Sequence, residues 1–341
     1  MSALQNLGLE LPVLPAPMAG GATTPAMVIA AARAGSLGQL GAGYKSAEAL
    51  AAEIATVREA SIPFGVNVFA PNPVPISQPD YHRYAAEIQR EADRFGLTLP
   101  AEPIEDDDAF DAKIDLLLSA PVPVVSFTFG LPELQTVQAL QKAGTVVIQT
   151  VTSPEEAALA AAIGVDALAV QASIAGGHSG TLTPERLPEA VPVDELVRRV
   201  RAAVALPLLA AGGLSTPQDV RAVLGAGAEA AVVGTALLRA DESGASATHK
   251  LALTDPSAPP TVLTRAFTGR PARGILNGFI EKYEPSAPLG YPAVHYLTSP
   301  LRKAAAAAGE PGLVHLWAGT GYRHATAKPT ATILARLASA A

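Results

Sequence analysis

Apolar positions along the chain fall into short unbroken runs, each preceded by an alanine-rich stretch and a glycine. The phrase recurs as AARAG-SLGQLGAG (31–43), ALQKAG-TVVIQT (139–150), ALAAAIG-VDALAVQ (158–171) and AVLGAG-AEAAVVGT (222–235). The alanine-rich part reads as a helix. Gly35, Gly144, Gly164 and Gly227 stand where its end needs a left-handed residue, which glycine adopts at low cost. The apolar runs do not alternate with polar residues, the pattern of parallel strands covered on both faces. The opposite transition is equally regular. Thr24-Pro25, Ser153-Pro154-Glu155-Glu156 and Thr216-Pro217-Gln218-Asp219 place a hydroxyl cap and then a proline at a helix start, where the missing N–H of proline does no harm.

Eight strands are predicted in this way, near 12–16, 37–41, 64–69, 122–127, 145–150, 166–171, 206–211 and 230–234. Eight strands alternating with helices point to an α/β fold, a closed (β/α)8 TIM barrel, with an open doubly wound sheet as competitor. Two stretches break the rhythm. Residues 71–118 carry a proline-rich start, a predicted helix over 80–95 and the acidic run Glu105-Asp106-Asp107-Asp108, read as a solvated loop. Residues 241–312 carry a proline-rich link and an alanine-rich helix. The expectation is a barrel built from 1–72, 118–240 and 313–341, under a smaller, mainly helical cap from 73–117 and 241–312.

Composition narrows the chemistry. The 341 residues are 49% hydrophobic, enough for a large core, and the net charge is −7. That charge excludes a broad basic footprint for nucleic acid and offers little attraction to an anionic membrane. The absence of cysteine excludes disulfides, thiolate metal sites and a cysteine nucleophile. Residues 1–14 lack the features of a signal peptide, and no stretch reaches about 18 apolar residues unbroken. A cytoplasmic location is expected.

In a barrel of this kind the active site lies at the C-terminal ends of the strands. The polar or small residues there are Met18 to Gly21, Asn67, Gln149-Thr150, Gln171, Gly212-Gly213 and Gly234-Thr235. Paired carboxylates are missing from this set, which argues against glycosidase chemistry. Glycines followed by helix starts at the seventh and eighth strands suit a phosphate, although they could simply make tight turns. The uncharged amides of Asn67 and Gln171 suit a neutral heterocycle, so flavin mononucleotide (FMN) would use both features. AGGHSGT (175–181) sets His178 among Gly176, Gly177, Ser179 and Gly180. A histidine there can act as general base; the bland alternative is a loop histidine bonded to backbone. No metal site is expected. RAFTGRPARG (265–274) concentrates Arg265, Arg270 and Arg273, read as a surface turn, or else as help for an anionic ligand. Tyr291, Tyr296 and Trp317 are read as cap packing. Histidines 82, 249, 295, 315 and 324 are read as structural or surface residues. An ATP P-loop and a full G-x-G-x-x-G are both absent.

Taken together, PAPMAGGATTPAM (15–27), FGVNVF (64–69), VVSFTFGLP (124–132), VQASIAGGHSGT (170–181), LLAAGG (208–213), VVGTALL (232–238), RAFTGRPARG (265–274) and LWAGTG (316–321) resemble the bacterial nitronate monooxygenase (2-nitropropane dioxygenase) family over nearly the whole chain. The resemblance implies an FMN-containing barrel. Asn67, Gln171, Gly176, Gly213, Gly234 and Thr235 would contact FMN, with Gly177 and Gly212 beside them and Met18 and Gly20 near the ring. His178 falls on the family's catalytic histidine. The implied reaction is oxidation of alkyl nitronates, such as propionate 3-nitronate, and small nitroalkanes with O2 to a carbonyl compound and nitrite. It runs through a flavin semiquinone, with His178 as base. Related readings are an FMN-dependent NAD(P)H:quinone reductase, an enoyl-acyl-carrier-protein reductase, and a non-enzymatic FMN- or phosphate-binding protein. Monomer and homodimer both fit. The chain departs from the family at Ser173-Ile174, Val232 and Thr320.

Overall fold

The structure, a computed structural model, describes residues 9–341; the first eight residues of the supposed leader-free start lie outside it. The strands are β1 (Val13–Pro15), β2 (Gln39–Gly41), β3 (Gly65–Ala70), β4 (Val124–Phe129), β5 (Val146–Val151), β6 (Ala167–Gln171), β7 (Gly177–His178), β8 (Leu208–Ala211), β9 (Ala230–Val233), β10 (Thr261–Thr264) and β11 (Ala272–Ile275). The helices are α1 (Pro25–Arg33), α2 (Ala47–Glu59), α3 (Gln78–Asp93), α4 (Phe110–Ser119), α5 (Leu134–Lys142), α6 (Pro154–Ala162), α7 (Val193–Ala203), α8 (Pro217–Gly225), α9 (Ala247–Ala252), α10 (Gly278–Tyr283), α11 (Ala293–Ala307) and α12 (Thr330–Ala338).

All eight predicted strands form, and they pair in parallel in the order β1-β9-β8-β6-β5-β4-β3-β2. A doubly wound sheet would reverse its order near the middle; here neighbours follow one another round a ring, as in a (β/α)8 barrel. At the seam between β1 and β2 the Ser36 hydroxyl donates to the Val13 carbonyl at 2.6 Å. The barrel interior is plugged by Leu14, Leu37, Val124, Ile148, Leu209 and their neighbours, while a larger apolar layer fills the space between strands and outer helices. The local signals work as read. Thr24, Ser153 and Thr216 accept from the backbone N–H three residues on, and Gly35, Gly144, Gly164 and Gly227 take φ of +82°, +88°, +80° and +105°.

A second buried cluster sits apart from these two. It gathers Tyr81 and Tyr84 of α3, Phe267, Phe279, Val294, Leu297 and Leu301 of α11, and Leu313, Leu316 and Tyr322. Its make-up alters three expectations. It is not only helical, because β10, β11 and β7 form a three-stranded antiparallel sheet. The stretch around 313–322 packs its apolar side chains into this cluster while its backbone bonds Thr235 and Ile174 at the barrel mouth. Residues 71–118 hold two helices; the second, α4, buries Ile114 and Leu117 in the barrel layer, as a barrel helix between β3 and β4 should. Among the described residues no helix is long and apolar enough to cross a membrane.

The loop from β6 to α7 carries His178, and a buried carboxylate anchors it. Glu156, at the start of α6, accepts from Thr152 N–H and Oγ1 with one oxygen. The other accepts from Thr181 Oγ1 and Leu182 N–H, both at 2.7 Å. Replacing Glu156 by alanine would leave these donors buried without acceptors. The expected loss is about 3 kcal/mol of unfolding free energy, read by urea titration; a change below about 0.5 kcal/mol would show that the loop does not depend on this anchor.

Candidate active site

At the C-terminal end of the barrel strands, beneath the second cluster, lies a cavity of about 880 Å³. Met18, Gly20, Asn67, Gln171, Gly176, Gly177, His178, Gly212, Gly213, Gly234 and Thr235 all line it. These eleven residues come from β-strand ends and loops spread over more than two hundred positions, and the closed barrel is what brings them together.

Each takes a definite place. Gly212 and Gly213 follow β8 with φ of +110° and +73°, and Gly234-Thr235 open a single helical turn after β9. Their backbone edges the cavity, the disposition that cradles a phosphate. Gly176 is required by closeness instead: a Cβ there would lie 2.5 Å from the Gly319 backbone nitrogen. Asn67 donates through Nδ2 to Ser126 and Thr128, which leaves Oδ1 for a ligand. Gln171 lines the cavity and also has a structural task. Its Nε2 donates to the His178 carbonyl and its Oε1 accepts from Gly180 N–H at 2.7 Å, so it braces the histidine loop.

His178 sits in β7, paired with β11 (Ala272↔His178), so AGGHSGT and RAFTGRPARG are neighbouring strands. Its Nε2 lies 2.9 Å from Thr268 Oγ1. The Thr268 hydroxyl donates to the Arg270 carbonyl, so the hydroxyl oxygen accepts from the ring. Assigned from this network, Nε2 carries the proton and Nδ1 keeps the lone pair. Nδ1 has no partner among the described residues. The imidazole is open only towards the cavity. Burial, then the charges of Arg270 and Arg302, push its pKa down to about 3, so it rests neutral. Phe129, Tyr291 and Trp317 surround it edge-on at centroid distances of 5.6, 5.7 and 5.5 Å. Phe129 holds a positive φ of +82°, and Tyr44 one of +65°. Conformations of this kind cost aromatic residues energy and cluster at functional sites.

Several residues were placed differently by sequence. Arg270 is not on a surface turn: it is fully buried, 4.2 Å above the Phe129 ring, and donates to the Asn72 and Thr181 carbonyls. Arg273 is tied to the Ser173 and Thr261 carbonyls. His249, His295 and His315 are not scattered but line the same cavity as His178, and burial pushes all three pKa values down, that of His249 to about 4. Tyr291 does more than pack, since its hydroxyl meets that of Tyr44 at 3.2 Å. Asp108 leaves the acidic run to accept from Tyr44 N–H and pair with the buried Lys113 at 2.7 Å. Thr268 and Tyr44 gave no sequence signal. His295, Ser299, Arg302 and Ala306 did, because their spacing marks one face of α11.

The sequence model described as "Nitronate monooxygenase" matches residues 2–339. The chain belongs to the nitronate monooxygenase family. It is thereby an oxidoreductase of that family. A probable nitronate monooxygenase of Staphylococcus aureus (strain Newman) is 38% identical over 338 residues, covering 98% of this chain and 95% of that protein. Among solved structures, the nitroalkane oxidase from Streptomyces ansochromogenes is 46% identical with a TM-score of 0.95 and 99% coverage of each chain. FabK from Thermotoga maritima is 25% identical with a TM-score of 0.76, covering 99% of this chain and 94% of that one.

The four cavity histidines make the ligand-free protein acid-sensitive. In the unfolded chain they take up protons below their ordinary value of 6.5; in the fold burial holds all four well below it. Stability should therefore fall as the pH drops from about 6.5 towards 4. Each histidine contributes up to about 1.4 kcal/mol per pH unit. Urea titrations at pH 7 and pH 5 check this, and the double variant His249→Gln/His315→Gln should show a shallower fall.

Proposed function

We propose that this chain is an FMN-dependent nitronate monooxygenase acting on alkyl nitronates, propionate 3-nitronate among them, and on small nitroalkanes with O2. One observation carries the reading. In a chain of net charge −7, the cavity wall holds Lys45, Arg302 and Lys303, and among the described residues that line it there is no aspartate or glutamate. Such a cavity favours anionic ligands, and both a flavin phosphate and a nitronate are anions.

The residues fit FMN. Gly212, Gly213, Gly234 and Thr235 would hold the phosphate through backbone N–H groups. Asn67 would meet the ring edge through Oδ1, with Met18 and Gly20 beside the ring. A Cβ at Gly20 or Gly177 would meet no atom of the protein within 4 Å, so open space borders both. FMN bound there supplies the redox chemistry, accepting electrons from the substrate and passing them to O2.

The chain supplies proton handling and orientation. His178 takes the α-proton of a neutral nitroalkane at Nδ1, while Thr268 keeps Nε2 protonated and fixes the ring. The resulting anion offsets the penalty that burial and the two arginines place on the imidazolium. A nitronate offered ready-made needs no such step. Tyr291, Phe129 and Trp317 keep water from the imidazole.

Two measurements test this. The purified protein should be yellow, and anaerobic propionate 3-nitronate should change its flavin spectrum while NADH does not. Bleaching by NADH would move the reading to the NAD(P)H-dependent reductases. His178→Asn should keep its flavin and lose at least about 100-fold in kcat/KM on nitroethane. It should stay within about tenfold of the parent on ethyl nitronate. Equal loss on both substrates would remove His178 from proton transfer.

A further inference from the structure

Helix α11 turns one face to the cavity, with His295, Ser299, Arg302 and Ala306 at intervals of four, three and four residues. Arg302 is the notable member. It is only 5% exposed, yet no carboxylate of the described residues pairs with it. Its Nε donates to Thr298 Oγ1 at 3.0 Å, and its Nη2 to the His295 carbonyl at 2.9 Å and towards His295 Nδ1 at 3.3 Å. These bonds fix the guanidinium plane and leave Nη1 without a partner among the described residues. Burial lowers its pKa only to about 10, so it stays charged at neutral pH. The other cavity cations differ. Lys45 is neutralised by Glu53 at 2.6 Å, and Lys303 is exposed. Burying a cation without a counter-charge is costly; carbonyls and ring faces hold Arg270, whereas the bonds of Arg302 use only Nε and Nη2.

Arg302 also stands in register with the base. The His178 ring lies 5.7 Å from Tyr291, Tyr291 lies 6.4 Å from His295, and His295 bonds Arg302. Two aromatic neighbours thus link the imidazole to the guanidinium, and both groups line the same cavity.

We propose that Arg302 is an anion subsite that binds a carboxylate at the far end of the substrate, so that the enzyme selects nitronates carrying a second negative group. The proposal rests on the nitronate reading and adds the residue that sets the preference. Arg302 is a specificity residue and performs no bond-making step. The competing source of an anion is the cofactor's own phosphate, and the test separates the two.

Propionate 3-nitronate and propyl-1-nitronate have the same carbon count and differ in the carboxylate. The parent enzyme should prefer the first. Arg302→Met should lose about 100-fold in kcat/KM on propionate 3-nitronate, mainly through KM, and stay within threefold on propyl-1-nitronate with unchanged flavin content. Arg302→Lys, which keeps the charge, should retain part of the preference and serves if the methionine variant does not fold. A matched loss on both substrates, no loss on either, or loss of flavin with the variant overturns the proposal; the last assigns Arg302 to the phosphate. Calorimetric binding of 3-nitropropionate needs no turnover. If the parent binds it and Arg302→Met does not, the subsite stands even should the parent oxidise neither nitronate, a result that would instead remove the monooxygenase reading. Equal binding by both proteins sinks the subsite.

Discussion

The site depends on one buried cation. Arg270 has no exposed surface and, among the described residues, no carboxylate within ion-pair distance, and it is held by carbonyl oxygens and aromatic faces. Its guanidinium joins Asn72, beyond β3, to Thr181, beyond the histidine loop, and lies over Phe129 at the end of β4. Three separate barrel connections therefore converge on one side chain of the upper layer. The Arg270 carbonyl also accepts from Thr268, whose oxygen orients His178. One residue thus fixes the walls of the cavity and, through a single hydroxyl, the tautomer of its imidazole. Lysine could not do the same, because a point charge lacks the planar fork that reaches two carbonyls while stacking on a ring.

The price of such an arrangement is electrostatic, and it explains the distribution of charge elsewhere. Arg270 and Arg302 both lie near His178 and both disfavour its protonation. A carboxylate in the cavity would relieve them, but it would also repel an anionic cofactor or substrate and pair with the imidazolium. The chain carries 31 acidic residues and keeps all of them off the cavity wall. Where an acid does approach, it is already engaged: Asp108 with Lys113 and Tyr44 N–H, Glu53 with Lys45, and Glu156 with two donors of Thr152 and two of the histidine loop. The cavity is left with positive potential and neutral bases, a state that a bound anion completes.

The barrel was legible in the chain because its signals are local. A glycine at a helix end, a hydroxyl-proline cap and an unbroken apolar run each concern a few consecutive residues, and each formed as written. The residues at strand ends were legible for the same reason: once strands are placed, topology decides where their ends point. The cap was harder to read. Arg270 looks like any arginine in a Gly-Pro turn until β11 pairs with β7 and carries it inward. Gln171 has the chemistry of a ligand amide, and its further task of bracing the histidine loop arises only when that loop folds back onto it. Thr268 is a bystander in sequence and a hydrogen-bond partner only after two strands from distant segments meet. These roles arise from long-range pairing, which periodicity does not encode.

The same pairing shows why glycine dominates the motifs. The segment around Ala318 and Gly319 runs so close to Gly176 that no side chain fits between the two backbones. Its amides are used on every side: Gly319 N–H donates to Thr235 Oγ1, Ala318 N–H to the Arg273 carbonyl and Thr320 N–H to the Ile174 carbonyl. This strip therefore clamps the histidine loop, the turn after β9 and the upper sheet by backbone contacts. A clamp made of main chain has no rotamers to rearrange, so the separation between the phosphate-type loops and His178 is set by the covalent geometry of the chain. Side chains such as Arg302 are then free to vary what the cavity accepts without moving where the reaction takes place.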